Sequence, residues 1–464
     1  MHKSLPEMNH MIRDRFAKTW VNLVQNARGW DYRTSLTALE QSQWLSKELM
    51  EQQNLAKLRN LLTHCHARVP FYRDAMKQSG FEPGDLHSFA DIGALPIISK
   101  ADLRADYDRF KAASENSSYD VWASSGSTGE PFFFRLDRRS IRANTYAALA
   151  RGRRWWGMDF GVREGMIWSG LSDLTGTASG RFAALKRRVS WSLKNITTID
   201  VYLLNDTAIY RGYQTFLLSR PRVLRTIASG LLRFCNGLER LGLDGRKLGI
   251  EAAIYTGEGL TQTQRDRIES VLGCPTVAEY GCTELGIIAF ECPEGGLHVS
   301  HDNLLIEYLV EGKPAKAGEQ AEMVITNLNE WIHPLLRYKI GDFAAPSAKT
   351  CACGRTLPLI EELGGRVHDS IRTPQGQVIH GLFFTHLFDH LPEVAQFRVI
   401  QRRLDGFEIE IVVPGTSAER AKYSVEKAVH DTLKEQMTVE VRTVDSLPVA
   451  ASGKTRWIIS ELDD

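Results

Sequence analysis

Positions 124–131 read SSGSTGEP, a run of hydroxyls and glycines. Glycine lets the backbone take positive φ and approach a ligand closely, so successive N–H groups and Ser or Thr hydroxyls can converge on an anion such as phosphate. Glu130 stands where the pattern G-x-x-x-x-G-K-[ST] wants its lysine. The stretch is therefore a phosphate cradle of another class, or a turn. A second set of residues is metal-like. Cys292 and His298 flank one turn, and Cys351 and Cys353 form a C-x-C farther along. Two sulfur or nitrogen ligands from each of two loops is the set tetrahedral zinc takes. His301 is near enough in sequence to replace His298, and four unconnected residues are the plainer alternative.

The elements that must position these residues follow from patterning. A chain of 464 residues is too long for one ordinary core. With 57 basic and 56 acidic residues, no global field recruits nucleic acid or an anionic membrane. No signal-peptide core and no run of eighteen apolar residues occurs, so a soluble, cytoplasmic protein is expected. Seven scattered cysteines argue against a disulfide framework. Residues 1–110 read as mainly helical, with apolar positions in ELMEQQNLAKLRNLLTHCHARV recurring at three and four. In the middle, RVLRTIASGLLRFCNGLERLG reads as helix, KLGIEAAIYTGEG as strand and LTQTQRDRIESVLG as helix, an α/β alternation. From residue 297, HDNLLIEYLV and EQAEMVITNLN alternate as antiparallel strands do. After ELGGRVHD, a hinge-like stretch, FRVIQRRL, FEIEIVV, AKYSVEKAVHDTLKEQM and TVEVRTV form an α+β pattern.

Five motifs occur in order: SSGSTGEP, YGCTELG at 280–286, YKIGDFA at 338–344, GRVHD at 365–369 and LPVAASGKTRWII at 447–459. Together they resemble the adenylate-forming superfamily of acyl-CoA synthetases. LLTHCHARVPFYRDAM, LPIISKADLR, ECPEGGLHV and CACGRTLP make the chain similar to the phenylacetate–CoA ligase branch and its CapK-like relatives. The resemblance implies an α/β fold: a large domain over 1–364, with a helical beginning and an antiparallel β portion, and a small mobile α+β lid over 365–464. It implies adenylation of a carboxylic acid, aryl or arylalkyl, with release of pyrophosphate, then transfer to a thiol acceptor such as coenzyme A. An amine or hydroxyl acceptor is the alternative, because the loop IRTPQGQVIHG lacks the short glycine turn of thioester-forming members.

Residue by residue, the resemblance implies that Ser124, Ser125, Gly126, Ser127, Thr128 and Gly129 cradle phosphates, with Gly257 and Glu258 also at the nucleotide. Tyr280 and Gly281 would lie against adenine, Thr283 would bond the α-phosphate and Glu284 would ligate Mg²⁺. Asp342 would accept both ribose hydroxyls and Arg366 would approach the ribose. Lys454 would bridge the acid and the α-phosphate, and His368 or Asp369 would serve the hinge. Structural zinc on Cys292, His298, Cys351 and Cys353 fits the family's pattern. Partners would be small molecules, with no nucleic acid and no membrane, in a possible homodimer. RGRRWW at 151–156 and LKRRVSWSLK at 185–194 read as solvated helix faces, with contact to coenzyme A phosphates the alternative. Phe132, Phe133, Phe134, Tyr146, Trp155, Trp156 and Trp168 would line an aryl pocket or fill the core.

Overall fold

The computed structural model describes all residues except 1–4, 31, 114–118, 125–131, 138–140, 169–177, 201–203, 367–369, 376–377, 381–382, 385–386, 389–390, 392, 414–417, 434–436, 449–455 and 463–464. Two compact units emerge: 18–160 with 278–362, and 1–17 with 161–277 and 363–464.

The unit of 18–160 and 278–362 opens on helices, as the periodicity predicts. Helix Lys47–Arg68 starts on Ser46, whose hydroxyl accepts the Leu49 N–H, and buries Met50, Leu58, Leu61, Leu62 and Cys65 along one stripe. Pro70 then occupies the first turn of helix Pro70–Ser79, where its missing N–H costs nothing. The alternating segments form a sheet in the spatial order Lys313–Pro314, Leu304–Val310, Ala321–Asn327, Tyr338–Pro346, Leu359–Arg366, Leu297–Val299, Gly286–Glu291 and Thr276–Cys282. Its registered pairs are antiparallel. A separate ladder pairs Tyr119–Ser124 with Phe132–Asp137, the strands that flank residues 125–131 in the sequence.

The other unit holds a parallel sheet in the order Ile196–Asp200, Glu164–Trp168, Val223–Ile227, Ala252–Thr256. Helices Ala178–Leu193, Asp206–Ser219, Ala228–Arg240 and Gln262–Leu272 connect and follow these strands. The segment RVLRTIASGLLRFCNGLERLG, read above as one helix, is strand Val223–Ile227 and then helix Ala228–Arg240. A strand covered on both faces is apolar without alternation, so periodicity cannot part it from a buried helix. The C-terminal portion is a sheet of Thr438–Thr443, Gly406–Val412, Gln396–Arg403 and Ile458–Ser460, in that order. It shares with helix Ala418–Leu433 a core that includes Phe384, Val399, Ile409, Ile411, Val425 and Val429. The fold class is thus the expected one: mixed α/β with a small α+β portion at the C-terminal end.

RGRRWW departs from the expected solvated face. Arg151 and Arg153 are buried, and the Arg151 guanidinium bonds the Asp302 carboxylate and the Leu39 carbonyl. Ser42 donates to the same carboxylate at 2.8 Å, and Lys57 Nζ reaches the Asp302 carbonyl at 2.8 Å. Nothing in a basic hexapeptide reveals an acid about 150 positions away. With the pair 2% and 1% exposed, truncating one partner strands the other charge away from water. Asp302→Ala is expected to destabilise this unit by about 3–5 kcal/mol, read as a lower urea midpoint, and Arg151→Met added to Asp302→Leu should recover part of the loss.

Candidate functional site

YGCTELG builds a tight hairpin. Strand Thr276–Cys282 ends, Thr283, Glu284 and Leu285 turn, and Gly286 opens the next strand, with Cys282 opposite Gly286 and a register shift after Tyr280. A Cβ on Gly281 would collide with the Gly286 carbonyl. Gly286 has φ +75°, and a side chain there would strike the Thr145 hydroxyl of helix Ile141–Trp155. Both glycines are needed to press the turn against that helix.

The turn presents Glu284, which is buried and accepts a hydrogen bond from the Tyr338 hydroxyl at 3.1 Å. Tyr338 starts the strand that carries Asp342, and Asp342 Oδ2 accepts the Tyr280 hydroxyl at 2.7 Å. Two phenol–carboxylate bonds therefore brace the hairpin to the Asp342 strand. Burial, and next to it the Asp342 carboxylate, push the Tyr280 phenol well above its usual range. Burial, and then Glu284, do the same to Tyr338, so both phenols remain neutral donors.

What aims that strand is Arg337. Its backbone is left-handed, φ +49°, a conformation a residue with a Cβ adopts only under constraint. The constraint is its side chain. The guanidinium pairs with Glu307 at 2.9 and 3.0 Å and donates to the carbonyls of Gly93 at 3.0 Å and Leu95 at 2.6 Å. Ile98 of LPIISK brackets the same residue, donating to the Arg337 carbonyl and accepting from the Lys339 N–H. A second anchor is Glu330, whose buried carboxylate accepts the N–H groups of Asp137, Ile332 and His333 at 2.8–3.0 Å. Burial pushes its carboxyl up to about 7 while those three N–H groups pull the other way. Asp137 ends strand Phe132–Asp137, so Glu330 fixes the end of that strand remote from residues 125–131.

The metal-like residues converge. One ligand atom from each of Cys292, His298, Cys351 and Cys353 lies within 4.8 Å of the others, with Cys292 Sγ to Cys351 Sγ at 3.5 Å and His298 Nε2 to Cys353 Sγ at 3.2 Å. Zinc bonds of ~2.0–2.3 Å need ligand separations of this size. His298 Nδ1 lies 3.2 Å from the Leu357 carbonyl, the outer bond that orients a ligating imidazole. Burial pushes His298 down to about 4, leaving the neutral ring that a metal requires. Gly296 lets Cys351 approach, since a Cβ there would sit 2.7 Å from its sulfur. His301, the alternative ligand, is not in the cluster.

Residues 371–461 match the family of the CapK C-terminal domain. The phenylacetate–coenzyme A ligase of Thermus thermophilus is 26% identical over 391 residues, covering 80% of this chain and 82% of its own. The chain is similar in sequence to phenylacetate–coenzyme A ligases. An indoleacetate–lysine synthetase of Pseudomonas savastanoi is 30% identical over 172 residues, 36% of this chain and 41% of its own. Crystalline 2-hydroxyisobutyryl-CoA ligase, in its postadenylation state with an acyl-AMP, superimposes with a TM-score of 0.72 at 17% identity over 91% of this chain and 92% of its own. The fold is that of this adenylate-forming ligase.

The remaining expected residues are distributed as follows. Ser124 ends strand Tyr119–Ser124, and Arg366 ends strand Leu359–Arg366. Ser125, Gly126, Ser127, Thr128, Gly129, His368, Asp369 and Lys454 lie outside the described residues. Gly257, φ +79°, follows strand Ala252–Thr256, and the Glu258 carboxylate accepts the Ser229 N–H at 2.8 Å in the first turn of helix Ala228–Arg240. Tyr146 stacks on Trp30, Trp155 donates to Gln43, and Trp156 donates to the Glu291 carbonyl, all packing contacts. Phe132 and Phe134 are buried while Phe133 faces out, and the Arg225 guanidinium covers Trp168. Arg337, Tyr338 and Glu330 were not singled out from sequence. Tyr338 opens the motif YKIGDFA and carried that much signal.

Gly286→Ala should lower the melting temperature, through about 1–2 kcal/mol of left-handed strain plus the collision with Thr145. Thr145→Ala on that background should restore part of the loss. Strict additivity of the two changes would mean that the turn and helix are not pressed together.

Proposed function

We propose that the chain is an ATP-dependent, AMP-forming ligase that adenylates an aryl or arylalkyl carboxylic acid and passes the acyl group to coenzyme A. In the first step a carboxylate oxygen attacks the α-phosphorus and pyrophosphate leaves. In the second the thiol attacks the acyl carbonyl, loses its proton and releases AMP. The observation that carries this reading is the braced set of Tyr280, Glu284, Tyr338 and Asp342, standing in the motif order of an adenylate-forming ligase and in that fold.

Two anions must meet in the first step, so the work is positioning and neutralisation. Asp342 offers a carboxylate to the ribose hydroxyls, with Tyr280 beside the base and Thr283 donating toward the α-phosphate. The Ser/Gly loop receives the outer phosphates between two strands whose pairing is fixed. Magnesium, when bound, would neutralise phosphate charge, and Glu284 on its rigid turn is the residue to hold it. Lys454 supplies the cation between carboxylate and α-phosphate, and residues 365–464 act as the mobile lid that brings and withdraws it. Cys292, His298, Cys351 and Cys353 hold a structural zinc whose four protein ligands leave no open position for chemistry.

An amine acceptor is the second reading. It is favoured by IRTPQGQVIHG and by the partial likeness to a synthetase named for joining indoleacetate and lysine.

Lys454→Ala should abolish acid-dependent ATP–pyrophosphate exchange and leave ATP binding by calorimetry nearly intact, because the lysine acts in the transition state. Exchange near the wild-type rate would remove Lys454 from the mechanism. In single turnover on preformed adenylate, coenzyme A should speed loss of the adenylate. No acceleration, with discharge by hydroxylamine, would transfer the assignment to an amine acceptor. Protein purified without added zinc should carry about one zinc per chain. Replacing Cys351 and Cys353 with serine should lose the metal and lower the melting temperature, and unchanged stability without metal would refute the clamp.

A further inference from the structure

Helix Ala178–Leu193 carries a surface that adenylate chemistry does not use. Phe182, Leu185 and Val189 recur at three and four residues, which sets them on one stripe, and they are 70%, 59% and 51% exposed. Lys186, Arg187 and Arg188 are exposed on the same helix. From Leu174 to Ile199 the sequence contains Arg181, Lys186, Arg187, Arg188 and Lys194 and no acidic residue, in a chain whose net charge is only +1.

Topology sets this helix apart from the other three helices of the parallel sheet. It connects Glu164–Trp168 to the edge strand Ile196–Asp200, whereas the next crossover returns past Glu164–Trp168 to Val223–Ile227. Parallel crossovers are right-handed, so reversing direction changes the face of the sheet. Helices Asp206–Ser219, Ala228–Arg240 and Gln262–Leu272 all follow strands that advance the same way and share one face, where the first two pack together and the last two pack together. Ala178–Leu193 lies on the other face, against the edge strand that follows it.

We propose that this helix docks the protein on an anionic lipid bilayer. Its stripe would enter the boundary between headgroups and acyl chains while the Lys and Arg side chains stay with the lipid phosphates. Charge complementarity and the apolar stripe together choose this occupant. A soluble polyanion would satisfy the cations and leave Phe182, Leu185 and Val189 in water. A second copy of the chain would cover the stripe and bring two acid-free basic helices face to face. No described helix is long and apolar enough to cross a membrane, so the contact is peripheral. It rests on this helix alone and not on the assigned reaction.

The test is sedimentation of the full chain with vesicles of phosphatidylcholine, with and without phosphatidylglycerol, at low and high salt. Binding should need phosphatidylglycerol and fall as salt rises. Phe182→Ser with Leu185→Ser, and separately Lys186→Ser with Arg187→Ser and Arg188→Ser, should each weaken binding about tenfold with unchanged melting temperature, because these side chains are exposed. No binding to anionic vesicles would overturn the proposal. So would binding that both variants retain. Retention by the apolar variant, with heparin competing fully, would make the patch a polyanion site instead. Light scattering that finds a wild-type dimer and a monomeric apolar variant would make it a self-association surface.

Discussion

Arg337 holds a left-handed backbone in place with a buried guanidinium, and the candidate site depends on that constraint. An arginine at φ +49° is tolerable because Glu307 and two carbonyls of the 93–95 segment accept its N–H groups. Five donors on one rigid plane can tie three chain segments at once, which lysine could not do. The strand beginning one residue later inherits that orientation, and it carries both Tyr338 and Asp342. The two hydroxyl–carboxylate bonds to the hairpin then lock Glu284 and Tyr280 to the same frame. Strain at one backbone position is thus exchanged for rigidity at four side chains, the arrangement expected where catalysis relies on preorganised charge.

Packing at the hairpin has the same character. Gly281 and Gly286 exist where the backbone has no room for a side chain, and the Thr145 helix closes on the turn. Glu330 does for strand Phe132–Asp137 what Arg337 does for the Asp342 strand, using one carboxylate and three N–H groups in place of one guanidinium and its acceptors. Each anchor is polar, buried and satisfied, and such networks specify a single arrangement more than they add stability.

Much of this was legible in the sequence. The motifs marked the hairpin and the Asp342 strand, and the cysteine–histidine spacing marked a cluster that does assemble. Strand alternation placed Leu304–Val310 and Ala321–Asn327, because one buried face writes itself as period two. Val223–Ile227 was absorbed into its helix because a strand buried on both faces has no such period. Arg151 looked solvated because its partner is distant in the chain, and Arg337 and Glu330 gave no signal for the same reason. Local patterns report on neighbours in sequence, whereas these three act on neighbours in space.

The bond from Tyr280 to Asp342 has a consequence for ligand affinity. The carboxylate proposed to receive the ribose has an internal donor, the Tyr280 hydroxyl, at 2.7 Å. If Asp342 takes the ribose as proposed, the ribose hydroxyls would share its oxygens with an internal phenol that already occupies Oδ2. A buried acceptor that is already met costs less to hold in place than one without a donor, and it would deliver less to a new one. On the proposed reading, a phenol placed to take back the oxygen would ease the departure of AMP.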